Sequence, residues 1–283
     1  MAMLAACGGT ADESAAEGTA DNPVTVGVVG ASDPYWSTFT DAAADEGISV
    51  EIVDFADYNQ PNPALSEGEI DLNQFQHIVY LAEYNVTAEQ DLQPIGSTAI
   101  YPLPLYSTQY DSVDAIPDGA EIAIPSDPSN RARALLVLQS AGLISLNDGG
   151  SPYSTPADII AADSKVEVTE LDPALVATSL PDVAGGIINN DFADKAGLTA
   201  DDILASDDPT DPAAQGYINV WASNAEDVDN ETYLKLVDLY QSNEEVQAGV
   251  VDNSGGTAVM LTTPVEELVD SLAQTEADSS AQG

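Results

Sequence analysis

A strand, a helix and a second strand open the ordered part of the chain, and this order restricts the architecture more than any other feature. Residues 23–30, PVTVGVVG, are a short apolar run ending in glycine. After it, Ser32 or Asp33 can cap a helix, Pro34 suits the first helical position, and Gly47 can close it. Residues 48–55, ISVEIVDF, then alternate as a strand. Such a start predicts a parallel α/β sheet, because the crossover helix brings the chain back to the edge it left. Gly27 and Gly30 are not a dinucleotide fingerprint, since GxGxxG is absent.

A second α/β unit spans residues 116–146, IPDGAEIAIPSDPSNRARALLVLQSAGLISL. Residues 121–124 read as a strand, followed by a loop of Pro, Ser and Asp and then a helix. The only two arginines of the chain, Arg131 and Arg133, fall in the first turns of that helix. Against 49 acidic side chains there are 5 Lys and Arg. Arginines beside a helix N-terminus mark a place for an anionic group, because free amides and the positive dipole end act in the same sense. Two residues apart, they sit roughly 200° around a helix, so only one can face a given pocket. Between the units, residues 94–108 (PIGSTAIYPLPLYST) are apolar and proline-interrupted, and read as an extended crossover. Two α/β halves so joined predict a hinged protein that holds a ligand between lobes.

The formal charge of −44 leaves no basic patch for phosphates, which excludes nucleic acid and anionic lipid headgroups as partners. Such a surface suits concentrated salt, where self-repulsion is screened. The acid runs Asp201-Asp202, Asp207-Asp208 and Asp211 lack the DxDxDG spacing of a calcium loop. His77 is the only histidine and Cys7 the only cysteine. That rules out an internal disulfide, a multi-cysteine metal site and a paired His–Cys nucleophile, and GxSxG is absent too. The expectation is a protein that is not an enzyme and needs neither cofactor nor metal. Leu4-Ala5-Ala6-Cys7 resembles a bacterial lipobox, whose cysteine carries a lipid, and residues 8–22 read as a disordered tether.

The other elements follow from pattern. Residues 63–67 form a short helix stopped by Gly68, and 69–72 a short strand. Another helix begins at Asn73 or Gln74, with His77, Tyr80, Leu81 and Tyr84 on one face. Helices are expected at 152–162, 173–180 and 231–248, the last with Leu234, Val237, Leu239 or Tyr240, and Val246 inward. Strands are expected at 165–171, 183–189 and 216–223, and an acidic frayed tail from 275. The chain thus divides into a tether (1–22), a discontinuous first lobe (23–107 and 221–274), a second lobe (108–220) and the tail (275–283).

Several segments resemble one family. Residues 62–81, NPALSEGEIDLNQFQHIVYL, are similar to ALxxGxIDANxFQHxxYL of the methionine-binding lipoproteins of ABC importers. IAIPSDPSNRARALLVLQSAGLISL resembles their VAxPNDPTNxxRALLLLxxAGLIxL, and IYPLPLYS their VYPxxxYS. GGIINNDFADKAGL and GYINV resemble xxVINxxYAxxAGL and PYxNL. The likeness covers roughly residues 24–255. It implies a two-lobed, type-II-like periplasmic-binding-protein fold, each lobe a mixed sheet flanked by helices. It also implies capture of L-methionine or a close analogue outside the cytoplasmic membrane, lipid anchoring through Cys7, and delivery to an ABC permease with its cytoplasmic ATPase. By motif, Phe75, His77 and Tyr80 form one wall of the pocket, and Tyr58 and Tyr101 add aromatic surface. Arg133 takes the ligand carboxylate, and Asn189 and Asn219 the polar backbone groups. Arg131 then points to solvent or to a surface acid. Phe192 stands where the family has tyrosine, and Asp191 where it has a small or polar residue, which leaves the side-chain end of the pocket open. A methionine-containing dipeptide, another apolar amino acid, or a surface lipoprotein without transport are the alternatives.

Overall fold

The computed structural model describes residues 17–281. Cys7 and the lipobox lie outside the described residues. In chain order the elements are β1 (Val24–Val28), α1 (Pro34–Asp45), β2 (Val50–Asp54), α2 (Pro61–Ser66), β3 (Leu72–His77), α3 (Ile78–Ala88) and β4 (Leu92–Ile100). Next come β5 (Pro104–Tyr106), β6 (Glu121–Pro125), α4 (Pro128–Ser140), β7 (Glu167–Leu171), α5 (Pro173–Ser179), β8 (Gly185–Ile187), α6 (Asn190–Ala193) and β9 (Ile203–Ser206). The chain ends with β10 (Ile218–Asn224), α7 (Glu231–Ser242), α8 (Glu244–Asn253), β11 (Val259–Met260) and α9 (Val265–Ser280).

The opening strand–helix–strand order makes the parallel pair it predicts, with Val24 opposite Val50 and Val28 opposite Asp54. The first sheet has the order β11-β4-β10-β3-β1-β2, and the second β7-β6-β8-β5-β9. In each, four strands share one direction and one strand of the opposite direction is inserted among them, β10 between β3 and β4 in the first and β5 between β8 and β9 in the second; β11 adds a second antiparallel strand at the edge of the first sheet. The result is two lobes, each a mixed sheet flanked by helices.

Apolar side chains hold each sheet between helix layers. On one face of the first sheet, Trp36 and Phe39 of α1 meet Trp221 of β10 and Tyr240 of α7. Ring centroids lie 5.5 Å apart for Trp221–Tyr240 and 5.6 Å for Phe39–Trp221. Leu65, Ile78, Leu81, Leu268 and Leu272 cover the other face from α2, α3 and α9. In the second lobe, Leu135 and Leu138 of α4 pack on Ile122 and Ile124, while Val176 of α5 and Leu180 just after it lie near Ala123. Each such buried aliphatic side chain stabilises the fold by roughly 1.5–3 kcal/mol.

Several local expectations give way to tertiary context. Residues 73–77 are strand, not helix, and β3 lies between β1 and β10. Its polar side chains are buried because Asn62 serves them. Asn73 Nδ2 and Gln76 Nε2 donate to Asn62 Oδ1 at 2.9 and 2.6 Å, and Asn62 Nδ2 returns a bond to Gln76 Oε1 at 2.7 Å. His77 therefore does not share a helical face with Tyr80; it caps α3, its Nδ1 accepting from the Tyr80 amide at 3.1 Å. Residues 152–162 contain only short 3-10 turns, at Pro156–Asp158 and Ala161–Asp163. The helix expected over 231–248 breaks at Asn243, whose Oδ1 caps α8 through the amides of Glu245 and Val246. Leu234 is exposed, and Tyr233 and Leu236 take the inward positions. α9 continues through the expected frayed tail to Ser280. Residue 17 already belongs to the body: Asn230 Nδ2 donates to Glu17 at 2.7 Å, and the Ser49 amide to Gly18 O at 2.7 Å. β5 joins the second sheet and β10 starts at Ile218 in the first, so the crossovers fall at 101–103 and 207–217.

Candidate ligand-binding site

Strand direction gathers one set of side chains at one place. β3 and β4 both run antiparallel to β10, so their carboxyl ends meet the start of β10 at the same edge. Asn219 lies opposite His77 in that register. The second lobe brings the ends of β6 and β8 to the same cleft, through α4 and the Asn189–Asp191 turn. In open α/β sheets the carboxyl ends of strands are where ligands bind. The cleft contains a cavity with about 410 Å³ of atom-free space, part of it continuous with solvent. All eight residues expected at the site line it: Tyr58, Phe75, His77, Tyr80, Tyr101, Arg133, Asn189 and Asn219.

One half of the cavity is aromatic. Phe75 and Tyr80 meet edge to face at 5.7 Å, and Tyr58 lies 5.9 Å from Phe75. Phe192 adds a further ring 5.1 Å from Tyr58, although it comes from the opposite lobe. Tyr80 donates its hydroxyl to the Tyr58 carbonyl at 3.0 Å, which fixes the two rings.

The other half is polar. Arg133 is buried, with its guanidinium 4.2 Å from the Tyr217 ring centroid. Its Nε donates to Asp207 Oδ2 at 2.6 Å, and its Nη2 to the Tyr101 carbonyl at 2.7 Å. Asp207 in turn accepts the Leu103 amide at 2.7 Å, so one carboxylate ties the arginine to the crossover. The guanidinium is not an open fork; of its five N–H bonds, three remain. The expected free amides at the start of α4 are also partly taken, because Asp127 caps the helix and accepts from the Asn130 amide at 3.0 Å. Arg131 does not line this cavity and pairs with Glu170 at 3.2 Å.

Asn130 links the polar groups. Its Nδ2 donates to Asp127 at 2.7 Å, its Oδ1 accepts Asn189 Nδ2 at 3.0 Å, and His77 Nε2 lies 3.4 Å from the same oxygen. Since His77 Nδ1 accepts from Tyr80, its proton belongs on Nε2. Burial, and secondarily the charge of Arg133, lower the imidazole to about 3; His77 is a neutral donor at ordinary pH. Asn189 Oδ1 is buried and has no hydrogen-bond partner. An orphaned acceptor of this kind costs about 1–3 kcal/mol unless a donor fills the cavity.

Asn130, Tyr217 and Asp207 are not among the expected site residues, whereas Phe192 and Asp191 are expected only as departures at the side-chain end of the pocket, and Asp191 lines the cavity. Asn130 was within reach, because it precedes Arg133 by three positions and so shares its helix face. Asp207 was not, since it lies in an acid-rich stretch where any Asp looks like surface charge. Among the described residues no group of three or more acidic, histidine or cysteine side chains could hold a metal, and no helix is long and apolar enough to cross a membrane.

A model of the NlpA lipoprotein family matches residues 24–260. The chain belongs to that family. It is 37% identical over 240 residues to the D-methionine-binding lipoprotein MetQ of Escherichia coli, covering 83% of this chain and 87% of the relative. Among solved structures, protein PG110 of Staphylococcus aureus is similar at a TM-score of 0.84 and 34% identity, over 89% of this chain and 99% of that one. A nutrient-binding protein of Burkholderia cenocepacia bound to methionine superimposes at 0.76 with 35% identity, over 84% and 99%. The NlpA-family match covers both lobes, so the two-lobed fold and its cleft are family features, not those of one half alone.

Proposed function

We propose that this NlpA-family lipoprotein is an extracytoplasmic solute-binding protein that captures L-methionine, or a close analogue, between its lobes and hands it to an ABC permease with its ATPase. The observation that carries the reading is the division of the cleft into an aromatic half and a polar half. A thioether side chain favours aromatic edges, which Phe75, Tyr80 and Tyr58 present, with Phe192 packed on Tyr58. Arg133 offers its remaining N–H groups to a carboxylate, held in aim by Asp207 and Tyr101. Asn189 Oδ1 and Asn219 are placed to take the ammonium side. The similar MetQ protein is named for binding. Lipid attachment through Cys7 on the outer face of the cytoplasmic membrane, and the use of the acidic surface in high salt, belong to the same reading.

Tyr58 and Tyr80 also border an outer chamber formed by both lobes, with Asp127 and Asp172 on its far side. This leaves room for a longer ligand, so Gly-Met is the competing candidate. Calorimetric titration in high salt with L-Met, D-Met, Gly-Met and Leu separates them. L-Met binds best in this reading, and Arg133→Ala abolishes the binding. Unchanged affinity in that variant refutes the carboxylate role of Arg133.

A further inference from the structure

One acidic side chain lines the cleft without an ion pair among the described residues; Lys195 acts on it only from beyond ion-pair distance. Asp191 lies in α6 of the second lobe and lines the same cavity as Asn189. Its Oδ2 accepts the hydroxyl of Tyr58, from the first lobe, at 2.7 Å, and its Oδ1 accepts Asn190 Nδ2 at 2.7 Å. Among the described residues Asp191 forms no ion pair. Each carboxylate oxygen can accept two hydrogen bonds, so each keeps one open position. A neutral polar residue would satisfy Tyr58 without the cost of a carboxylate drawn out of water. A buried carboxyl of this kind stays protonated unless a cation comes beside it, and the cavity is where one can enter.

We propose that Asp191 is the counter-charge for the ligand's ammonium, and that it selects ligands with a free α-amino group. This rests on the amino-acid reading above and deepens it. Asn189 Oδ1 supplies the neutral acceptor on the same turn, and Arg133 the cation for the ligand's opposite end. The zwitterion then spans two fixed charges of opposite sign.

The surroundings give the proposal a second, proton-linked signature. Burial pushes the Asp191 carboxyl up to about 7, the Tyr58 hydroxyl lowers it, Asp33 raises it, and Lys195 and Asn190 lower it. Asp33 is itself raised by burial to about 6, with Lys195 opposing and Asp194 and Asp54 adding. An ammonium placed beside Asp191 favours its ionised form, so binding near neutral pH expels a proton.

The test is a cycle of two ligands and three proteins. L-methionine and 4-(methylthio)butanoate, which lacks only the amino group, are titrated into the wild type, Asp191→Asn and Tyr58→Phe. Asp191→Asn should weaken L-methionine by about 10- to 100-fold and leave the desamino acid nearly unchanged. Tyr58→Phe keeps the carboxylate and should keep the preference for the amine. Wild-type titrations near pH 7 in buffers of different ionisation enthalpy should show proton release with L-methionine and none with the desamino acid. Equal losses for both ligands in Asp191→Asn, or no proton release by the wild type, overturn the assignment alone. Failure of the wild type to bind either ligand overturns the amino-acid reading, and this assignment with it.

Discussion

Replacing Asp207 by asparagine keeps the side-chain shape and removes one charge, which isolates its hold on Arg133. The carboxylate accepts from Arg133 Nε at 2.6 Å and from the Leu103 amide at 2.7 Å. An amide has a single oxygen, so its NH₂ must face one of these two donors. One bond is lost outright and the ion pair becomes a neutral contact. A hydrogen bond to a charged group is worth about 1.5–3 kcal/mol, and breaking a fully buried pair about 3–5. Arg133 keeps 6% of its side chain exposed and Asp207 23%, which places this pair below the fully buried limit. The expected loss is about 2–3 kcal/mol, or a fall in Tm of roughly 3–5 °C for a chain of this size. Denaturant unfolding of the ligand-free protein measures the first quantity and calorimetry the second. L-methionine affinity should drop at least about tenfold, because the guanidinium is no longer aimed. Stability unchanged to within about 0.5 kcal/mol with an unchanged Kd would refute the view that Asp207 orients Arg133.

Two further outcomes follow from the same geometry. Asp33, Glu83 and Asp191 are raised by burial to about 6, 7 and 7. Their stabilising contribution is present below their unfolded values near 4 and is lost as pH rises through 6 to 7. His77, lowered to about 3, works in the opposite sense, gaining stability from its folded value up to about 6.5. With three carboxyls against one imidazole, ligand-free Tm in low salt should fall between about pH 5 and 7. Concentrated KCl should raise it throughout by screening the −44 charge; a Tm that climbs across that pH range contradicts the burial of these carboxyls. Gly185→Ala should destabilise the second lobe by about 1–3 kcal/mol. Its Cβ would lie 2.9 Å from the Tyr106 carbonyl and 3.2 Å from Ile122 and Leu105. An unaltered unfolding midpoint would show that β5 and β6 can part without cost.

The fold was legible where local and global demands agree. Pro34, Gly47 and the alternation of 48–55 specify the first βαβ unit without help from elsewhere. The segment 73–77 was misread because its decisive partner is remote in space rather than in pattern: Asn62 makes a polar strand tolerable in a sheet interior. The motif nevertheless placed Phe75 and His77 at the cavity, since a strand end and a helix start can deliver the same side chains to one cleft. Arg133 was found for its scarcity, in a chain with two arginines. Its partners were not, because Asp207 is one acid among 49 acidic side chains and the Tyr101 carbonyl has no sequence signature at all.

Closure of the cleft divides into a part the protein makes alone and a part left for the ligand. Val29, Tyr58 and Phe75 of the first lobe share one apolar cluster with Tyr106, Val176 and Phe192 of the second. The Tyr58–Asp191 and His77–Asn130 contacts add polar links across the same gap. These contacts are made between the two lobes themselves and are the same for every ligand, so they cannot discriminate among ligands. What a ligand can add on the polar side includes Asn189 Oδ1, Asn219, the spare N–H groups of Arg133 and the open positions on Asp191. A ligand contributes only its differential affinity for the closed form. The discrimination between ligands therefore resides in the polar half of the cavity, and the aromatic half sets how much apolar surface closure buries.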